Sequence, residues 1–305
     1  MLRFIVRRLL STVPIVLVVV SITWGLIRMA PGNFYTGERR LPPAVERNIR
    51  EKYGLDQPWY VQYGRMLGNT VRGDFGNSLT YEGQPVNSIL ANAVPVSALL
   101  GGLAYLLALI VGITAGTIAA LKQNSRYDYA SMAAALIGIS LPNFVLGPAL
   151  VAWLALTWYL LPPALWNGFS VNLILPAVTL SAVYMAYIAR LTRAGMLEVL
   201  RSNYIRTARA KGLSERAVVM RHALRGGLLP VLSFSGPALA MLLAGTIVVE
   251  RIFAVPGLGN YFINANLNRD EPLIIGIVAF VSIAVILMNL LVDVAYAVVD
   301  PRVRY

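Results

Sequence analysis

Basic side chains far outnumber acidic ones in one segment in the second half of this chain. Residues 206–232 read RTARAKGLSERAVVMRHALRGGLLPVL, and a long apolar run follows at once. Such a group of cations can bind lipid headgroups or a groove on another protein. The only histidine of the chain, His222, lies among arginines rather than beside an acid or a nucleophile. We therefore assign His222 a structural or docking role and expect no catalytic residues in this segment.

Several kinds of chemistry are excluded by composition. The chain has no cysteine and one histidine, so it has no disulfide, no thiolate site and no multi-histidine metal cage. A P-loop needs Gly-Lys-Ser/Thr, but the three lysines are followed by Tyr53, Gln123 and Gly212. The PGLG stretch at 256–259 follows no predicted strand and reads as a turn. We therefore expect no metal site, no cofactor in this chain and no ATP hydrolysis by it.

Long uncharged runs indicate the elements that position the basic segment. Hydrophobic residues make up 57% of the 305 residues and charged residues 13%, against about 25% in soluble domains. A membrane-spanning helix needs about 20 apolar residues. The sequence predicts an all-α polytopic membrane protein with six transmembrane helices. They are expected near 9–27, 98–121, 130–160 with a kink at Pro142, 173–193, 226–249 and 272–292.

The distribution of charge predicts the orientation of these helices. Segment 190–227 holds nine of the Lys and Arg residues against two acids, as the positive-inside rule expects of a cytoplasmic loop. Both termini are then cytoplasmic. This arrangement explains most of the net charge of +12, so we expect no nucleic-acid partner and a direct contact with membrane lipid.

The same pattern divides the chain into regions. The predicted regions are a cytoplasmic start with the first helix at 1–30, an extracytoplasmic insert at 31–93, a five-helix core at 94–293 that includes the cytoplasmic segment 196–227, and a cytoplasmic tail at 294–305. Within the insert, a helix start is expected at Pro42 and Pro43. A second, amphipathic helix is expected over 58–71, with Trp59, Tyr63, Met66, Leu67 and Thr70 on one face.

Local signals inside the basic segment predict two short helices with a break between them. We expect helices over 196–213 and 214–225, with Gly212 ending the first and Ser214 capping the second. In the second helix Leu213, Ala217, Met220 and Leu224 form a narrow apolar stripe at helical spacing. This layout is more specific than a solvated positive loop requires.

The basic segment resembles the cytoplasmic signature of permease subunits of binding-protein-dependent ABC importers. That signature reads Glu-Ala-Ala, three residues, Gly, nine residues, then Ile-x-Leu-Pro, and here it aligns on Gly212. The departures from it, in YIRTARAKGLSE and RHALR, are typical of the dipeptide, oligopeptide and nickel branch. The likeness covers nearly the whole chain, through GDFGNSL at 73–79, SLPNF at 140–144, VVERIFAVPGLG at 248–259, RDEPL at 269–273 and NLLVDVAYAVVDPR at 289–302. APGNFYTG at 30–37 departs from the Pro-Gly-Asp-Pro of relatives.

The resemblance implies a type I importer permease fold, a location in the inner membrane of a bacterial cell and a defined set of partners. These are a second homologous permease, two ATPase subunits that use ATP and magnesium, and an extracytoplasmic solute-binding protein. Dipeptides or oligopeptides are the expected solutes, with nickel chelates, glutathione and sugars as alternatives. The ATPase-docking segment would consist of Arg206, Thr207, Ala208, Arg209, Ala210, Lys211, Gly212, Leu213, Ser214, Glu215 and Arg216.

Polar residues within the spans are the remaining candidates for function. Ser140, Asn143, Tyr184 and Tyr187 are candidate linings of a translocation pathway, although helix–helix hydrogen bonding explains each equally well. Asp293, read as the only acid near the interior of a span, is expected to pair with Arg190 or Arg193. The alternative function is an ion-coupled secondary transporter, which would need more intramembrane acids than these spans hold.

Overall fold

The computed structural model describes residues 2–30, 47, 51, 54, 56–163 and 165–299. Nearly all of them are helical, and within these ranges the β contact is the isolated bridge between Asn77 and Pro85. The chain forms two compact units, Met1–Val96 with Pro256–Ile286, and Ser97–Val255 with Leu287–Tyr305. We call them the first and the second unit. The helix start expected at Pro42 and Pro43 lies outside the described residues.

Twelve α-helices are numbered here in chain order, within the described residues. They are α1 (Leu2–Met29), α2 (Trp59–Arg72), α3 (Val86–Leu121), α4 (Arg126–Ser140), α5 (Asn143–Leu150), α6 (Ile174–Leu200), α7 (Asn203–Ala210), α8 (Glu215–Ala217), α9 (Leu224–Gly227), α10 (Leu229–Ile252), α11 (Leu258–Leu267) and α12 (Glu271–Val299). Two π-helical segments follow α5 and α8, at Val151–Thr157 and Val218–Ala223. A 3₁₀ turn, Val171–Leu173, precedes α6.

The helices confirm the six-span expectation with one change of shape. Four are long and apolar enough to cross a membrane, and two bent pairs bring the total to six if each counts as one span. One pair, 126–140 with 143–157, bends by 108°, so the single kinked helix predicted over 130–160 is wrong. Leu141 is held extended by the proline that follows it, and Pro142 cannot donate a backbone hydrogen bond. The helix therefore breaks instead of bending gently.

In the first unit, a buried carboxylate joins two of the motifs noted in the sequence. Asp270 is fully buried and accepts hydrogen bonds from the Ser78 hydroxyl and from the backbone N–H groups of Leu79 and Thr80 at 3.0 and 2.9 Å. Its other oxygen accepts from the N–H of Leu273 in the first turn of α12, at 3.2 Å. A buried charge is tolerated when it is satisfied in this way. The GDFGNSL loop is thereby tied to the start of the last helix.

Helix α2 confirms the amphipathic helix predicted over 58–71. Tyr63, Met66 and Thr70 are partly buried on one face, whereas Trp59, expected on the same face, is exposed. The Tyr63 ring packs on Trp24 of α1 at 5.2 Å between centroids, and its hydroxyl lies 2.8 Å from that of Ser21. The helix thus lies against α1.

In the second unit, small residues let the helices approach closely. A Cβ at Gly116 of α3 would overlap the carbonyl oxygen of Ala189 in α6. At Gly138 of α4 it would lie 3.2 Å from the carbonyl oxygen of Ala182, which is also in α6. Small residues at helix interfaces are the usual basis of packing in lipid, where apolar burial gives little driving force. Helix α6 is therefore the central packing element of this unit.

The second unit also contains a buried carboxylate, Glu250, which was not predicted to lie inside a span. Helix α10 runs to Ile252, three residues beyond the predicted end, so Glu250 is part of the helix and is fully buried. It accepts a hydrogen bond of 2.6 Å from the Ser97 hydroxyl of α3. The expectation that Asp293 was the only acid near a span interior is therefore wrong.

Candidate functional site

The basic segment folds into a short helical hairpin, residues 203–227, that is anchored by its buried face. Ile205 and Ala208 of α7 pack with Val218, Val219 and Ala223 of the following helical stretch. Met196 of α6 and Ala120 of α3 complete this cluster, and every one of these side chains is buried. The hairpin therefore packs against α6 and α3 through its inner face, and its outer face is exposed to solvent.

The break between the two helices lies where the sequence predicted it. Gly212 has φ +77°, in the left-handed region that only glycine enters readily, and a Cβ there would meet open space. Ser214 caps the next helix by accepting a hydrogen bond from the Ala217 N–H. The predicted helix over 196–213 is wrong in its bounds, because α6 continues to Leu200 and α7 occupies only Asn203–Ala210.

Most of the predicted docking residues are exposed. Ala208 is buried, and the outer surface is formed by Arg206, Thr207, Arg209, Ala210, Lys211, Gly212, Leu213, Ser214, Glu215 and Arg216. Leu213 and Met220 leave 41% and 62% of their surface in solvent. A surface of cations with two apolar side chains among them can bind an acidic groove that has an apolar floor.

One exposed ion pair closes the turn at Gly212. Arg209 donates two hydrogen bonds to the Glu215 carboxylate, from Nε at 2.7 Å and from a terminal nitrogen at 3.2 Å. These hydrogen bonds lower the pKa of the Glu215 carboxyl below its usual range and raise that of Arg209. Arg209 is therefore part of the hairpin's own structure, whereas it was predicted only as a docking residue.

The apolar stripe predicted for the second helix is divided, because Ala217 and Leu224 are partly buried and Leu224 packs against the buried cluster. Leu213 and Met220 are exposed, and the buried positions are Val218, Val219 and Ala223. The cause is the π-helical stretch over Val218–Ala223. A π-helix has more residues per turn than an α-helix, so a spacing rule based on 3.6 residues assigns the wrong face.

The base of the hairpin is held by direct backbone contact. A Cβ at Gly195 of α6 would overlap the carbonyl oxygen of Gly227, and a Cβ at Gly227 would overlap the Met196 side chain. Helices α6 and α9 therefore touch without intervening side chains. Any movement of the hairpin base must be shared by α6, because close-packed elements transmit displacement.

A buried ion pair near this base was missed by the sequence reading. Arg193 of α6 donates two hydrogen bonds to Asp128 of α4, at 2.6 and 2.7 Å, and the carboxylate also accepts from the Asn124 N–H at 3.0 Å. The side chain of Asp128 is 2% exposed. Arg193 thus pairs with Asp128, and the other predicted partner of Asp293, Arg190, stays a prediction. Asp128 at the third position after the cap Ser125 is a helix-start pattern, but nothing in it identifies Arg193 as the partner.

The four candidate pathway residues fall into two pairs. Ser140 and Asn143 flank the bend between α4 and α5. Tyr184 and Tyr187 lie three residues apart on α6, and the Tyr187 ring packs on Phe234 of α10 at 5.6 Å. Among the described residues, no group of three or more acids, histidines or cysteines could hold a metal ion.

Comparison with known proteins identifies the family. Residues 112–305 match the family described as "Binding-protein-dependent transport system inner membrane component". Residues 1–96 match the family that describes the N-terminal part of such membrane components. The chain is 49% identical over 306 residues to the oligopeptide transport system permease protein OppB of Salmonella typhimurium, with all of both chains covered. It is 41% identical to the dipeptide transport system permease protein DppB of Bacillus subtilis, covering all of this chain and 98% of that one.

The fold has a solved counterpart. A chain of the MetNI methionine ABC transporter in inward-facing conformations matches with a TM-score of 0.59 and 16% identity, over 70% of this chain and 96% of that one. This likeness supports the type I importer permease fold. The chain therefore belongs to the inner-membrane permease components of binding-protein-dependent transport systems.

Proposed function

We propose that this chain is the permease subunit of an ATP-driven importer that moves dipeptides or oligopeptides across the membrane by alternating access. The observation that carries the proposal is the full-length similarity to permeases named for oligopeptide and dipeptide transport. The chain carries no P-loop. ATP and magnesium are therefore assigned to separate ATPase subunits.

The hairpin residues 206–216 are proposed as the element that docks on an ATPase subunit. A docking element must be stiff enough to transmit force, and the buried cluster around Ile205 and Val218 supplies this stiffness. It must also present a surface, which the exposed cations and Leu213 provide. The close contact of Gly195 with Gly227 would pass movement of the ATPase to α6.

The remaining partners and the orientation follow from this assignment. A second homologous permease and an extracytoplasmic binding protein would complete the transporter, with both termini and the hairpin in the cytoplasm. Ser140, Asn143, Tyr184 and Tyr187 are proposed to line the pathway, because the first two flank a break in a span and the others share one face of the central helix α6.

Reconstitution tests the proposal. We expect proteoliposomes with this permease, its ATPases, the second permease and the binding protein to take up a labelled dipeptide only when ATP is inside. The permease alone should hydrolyse no ATP. Uptake that survives ATP removal but collapses with an ionophore would instead support ion-coupled secondary transport.

A further inference from the structure

A small charged pocket in the first unit lies at the ends of two membrane-spanning helices. It has a volume of 170 Å³ and is lined in part by Arg28, Arg65, Asp74, Phe75 and Glu271. One water needs roughly 15 Å³ of such space, so the pocket can hold a group of several heavy atoms. None of its lining residues belongs to the hairpin or to the residues assigned to the pathway.

The charges of the pocket are balanced. Arg28 forms an ion pair with Glu271 at 3.1 Å, and Arg65 and Asp74 add one further charge of each sign. An anion alone would meet two carboxylates, and a cation alone would meet two guanidinium groups. The pocket therefore suits a ligand that carries both charges.

The position of the pocket along the membrane normal follows from the helices that form it. Arg28 is the second-last residue of α1 and Glu271 is the first of α12, and both helices are long and apolar enough to span a membrane. The pocket thus lies at the boundary between hydrocarbon and water. Trp59 and Tyr60 at the start of α2 are 67% and 61% exposed, as is typical of aromatic residues in the headgroup region.

We propose that this pocket binds the headgroup of a zwitterionic phospholipid with a primary amine, of the phosphatidylethanolamine type. The Arg65 guanidinium would donate hydrogen bonds to the phosphate, and the Asp74 carboxylate would accept them from the ammonium. Ile22, Leu26 and Met29 of α1 are 58%, 62% and 83% exposed and recur on one face of the helix. They would contact the acyl chains below the headgroup.

The same chemistry defines which lipids bind poorly. A phosphatidylcholine headgroup has the same net charge but offers no N–H to Asp74. A phosphatidylglycerol headgroup has no cation and meets the two carboxylates. Selection for the primary amine is therefore the feature that distinguishes this site from ordinary solvation by lipid.

The test is lipid retention by the assembled transporter, measured by native mass spectrometry. The complex is delipidated and then supplied with phosphatidylethanolamine, phosphatidylcholine or phosphatidylglycerol in detergent micelles. Arg65→Gln and Asp74→Asn should each weaken retention of phosphatidylethanolamine by about tenfold. Arg72→Gln and Glu82→Gln, which change exposed charges outside the pocket, should leave retention unchanged.

Two further arms identify the ligand. Glycerophosphoethanolamine, which has the headgroup but no acyl chains, should compete only at high concentration. The dipeptide Ala-Ala should not compete. Equal retention of the three lipids, wild-type retention by both pocket variants, or displacement by the dipeptide would each overturn the proposal, and the last would assign the pocket to peptide.

Discussion

Two ion pairs of the second unit, one near the base of the hairpin and one at its tip, differ in their exposure to solvent. Asp128 and Arg193, near the base of the hairpin, have side chains 2% and 26% exposed. Arg209 and Glu215, at its tip, are 40% and 65% exposed. Both pairs are bidentate, so geometry alone does not distinguish them.

The difference in exposure separates two tasks. Breaking a buried pair leaves an unpaired charge in a poorly solvated place, which is strongly unfavourable. An exposed pair adds little stability because water screens it, and it can rearrange when a partner arrives. The pair at the base therefore keeps α4 and α6 together, whereas the pair at the tip is free to rearrange if residues 206–216 dock on an ATPase subunit as proposed.

The largest loss of stability is expected at Gly195, where the base of the hairpin leaves no room for a side chain. Gly195→Val should destabilise the chain by about 3 kcal/mol, because its side chain would be forced into the backbone of Gly227. A lower melting temperature of the purified transporter measures this loss. Ala194→Val is the matched control, since residue 194 is an exposed neighbour on the same helix and should change the melting temperature little.

The next largest loss of stability is expected when the buried ion pair between Asp128 and Arg193 is broken. Asp128→Asn leaves Arg193 without its counter-charge, and we expect a loss of about 2 kcal/mol, below the usual range because Arg193 is 26% exposed. Unfolding in detergent with added denaturant measures it. If Arg193→Gln in the same chain restores no stability, the pair is not the source of the loss.

A smaller effect on stability, with a large one on coupling, is expected at the tip. Gly212→Val forces a β-branched residue to a φ of +77° and should cost about 1–2 kcal/mol locally. The docking helix should tilt, so that ATP hydrolysis no longer drives transport while the spans remain folded. A variant that transports at the wild-type rate would show that the segment is only a positively charged loop.

The smallest effect concerns the pH dependence of the exposed pair. The hydrogen bonds from Arg209 lower the pKa of Glu215, so the pair is present above the ordinary glutamate pKa of about 4.3 and is lost as pH falls through the lowered value. A carbon-13 NMR titration of the Glu215 carboxyl should show a midpoint below that of a free glutamate. In Arg209→Gln the midpoint should return toward the ordinary value, and an unchanged midpoint would contradict the pairing.

Signals that depend on neighbouring residues could be predicted from the sequence. Gly212 as a helix end, Ser214 as a cap and the amphipathic helix over 59–72 are each set by local conformational preferences. The six apolar runs are equally local. The family resemblance added the fold, and it is the source of the proposal that residues 206–216 dock on an ATPase subunit.

Features that depend on residues far apart in the chain could not be predicted from the sequence. Asp128 and Arg193 are 65 positions apart, and neither the pairing nor the contact of Gly195 with Gly227 has a signature in spacing. The π-helical stretch over Val218–Ala223 changed the periodicity that the stripe of Leu213 and Met220 relied on. The break at Pro142 was located correctly, but its angle depends on how α5 packs.

The central claim, that residues 206–216 dock on an ATPase subunit, is best tested by cross-linking. The chain has no native cysteine, so a single one at Arg216 can carry a short amine-reactive cross-linker in the assembled transporter. Glu82→Cys, exposed in the first unit, is the matched control. We predict that Arg216→Cys links to an ATPase subunit and Glu82→Cys does not. An Arg216→Cys that reacts with the linker but yields no ATPase adduct, or equal adducts from both positions, would contradict the claim.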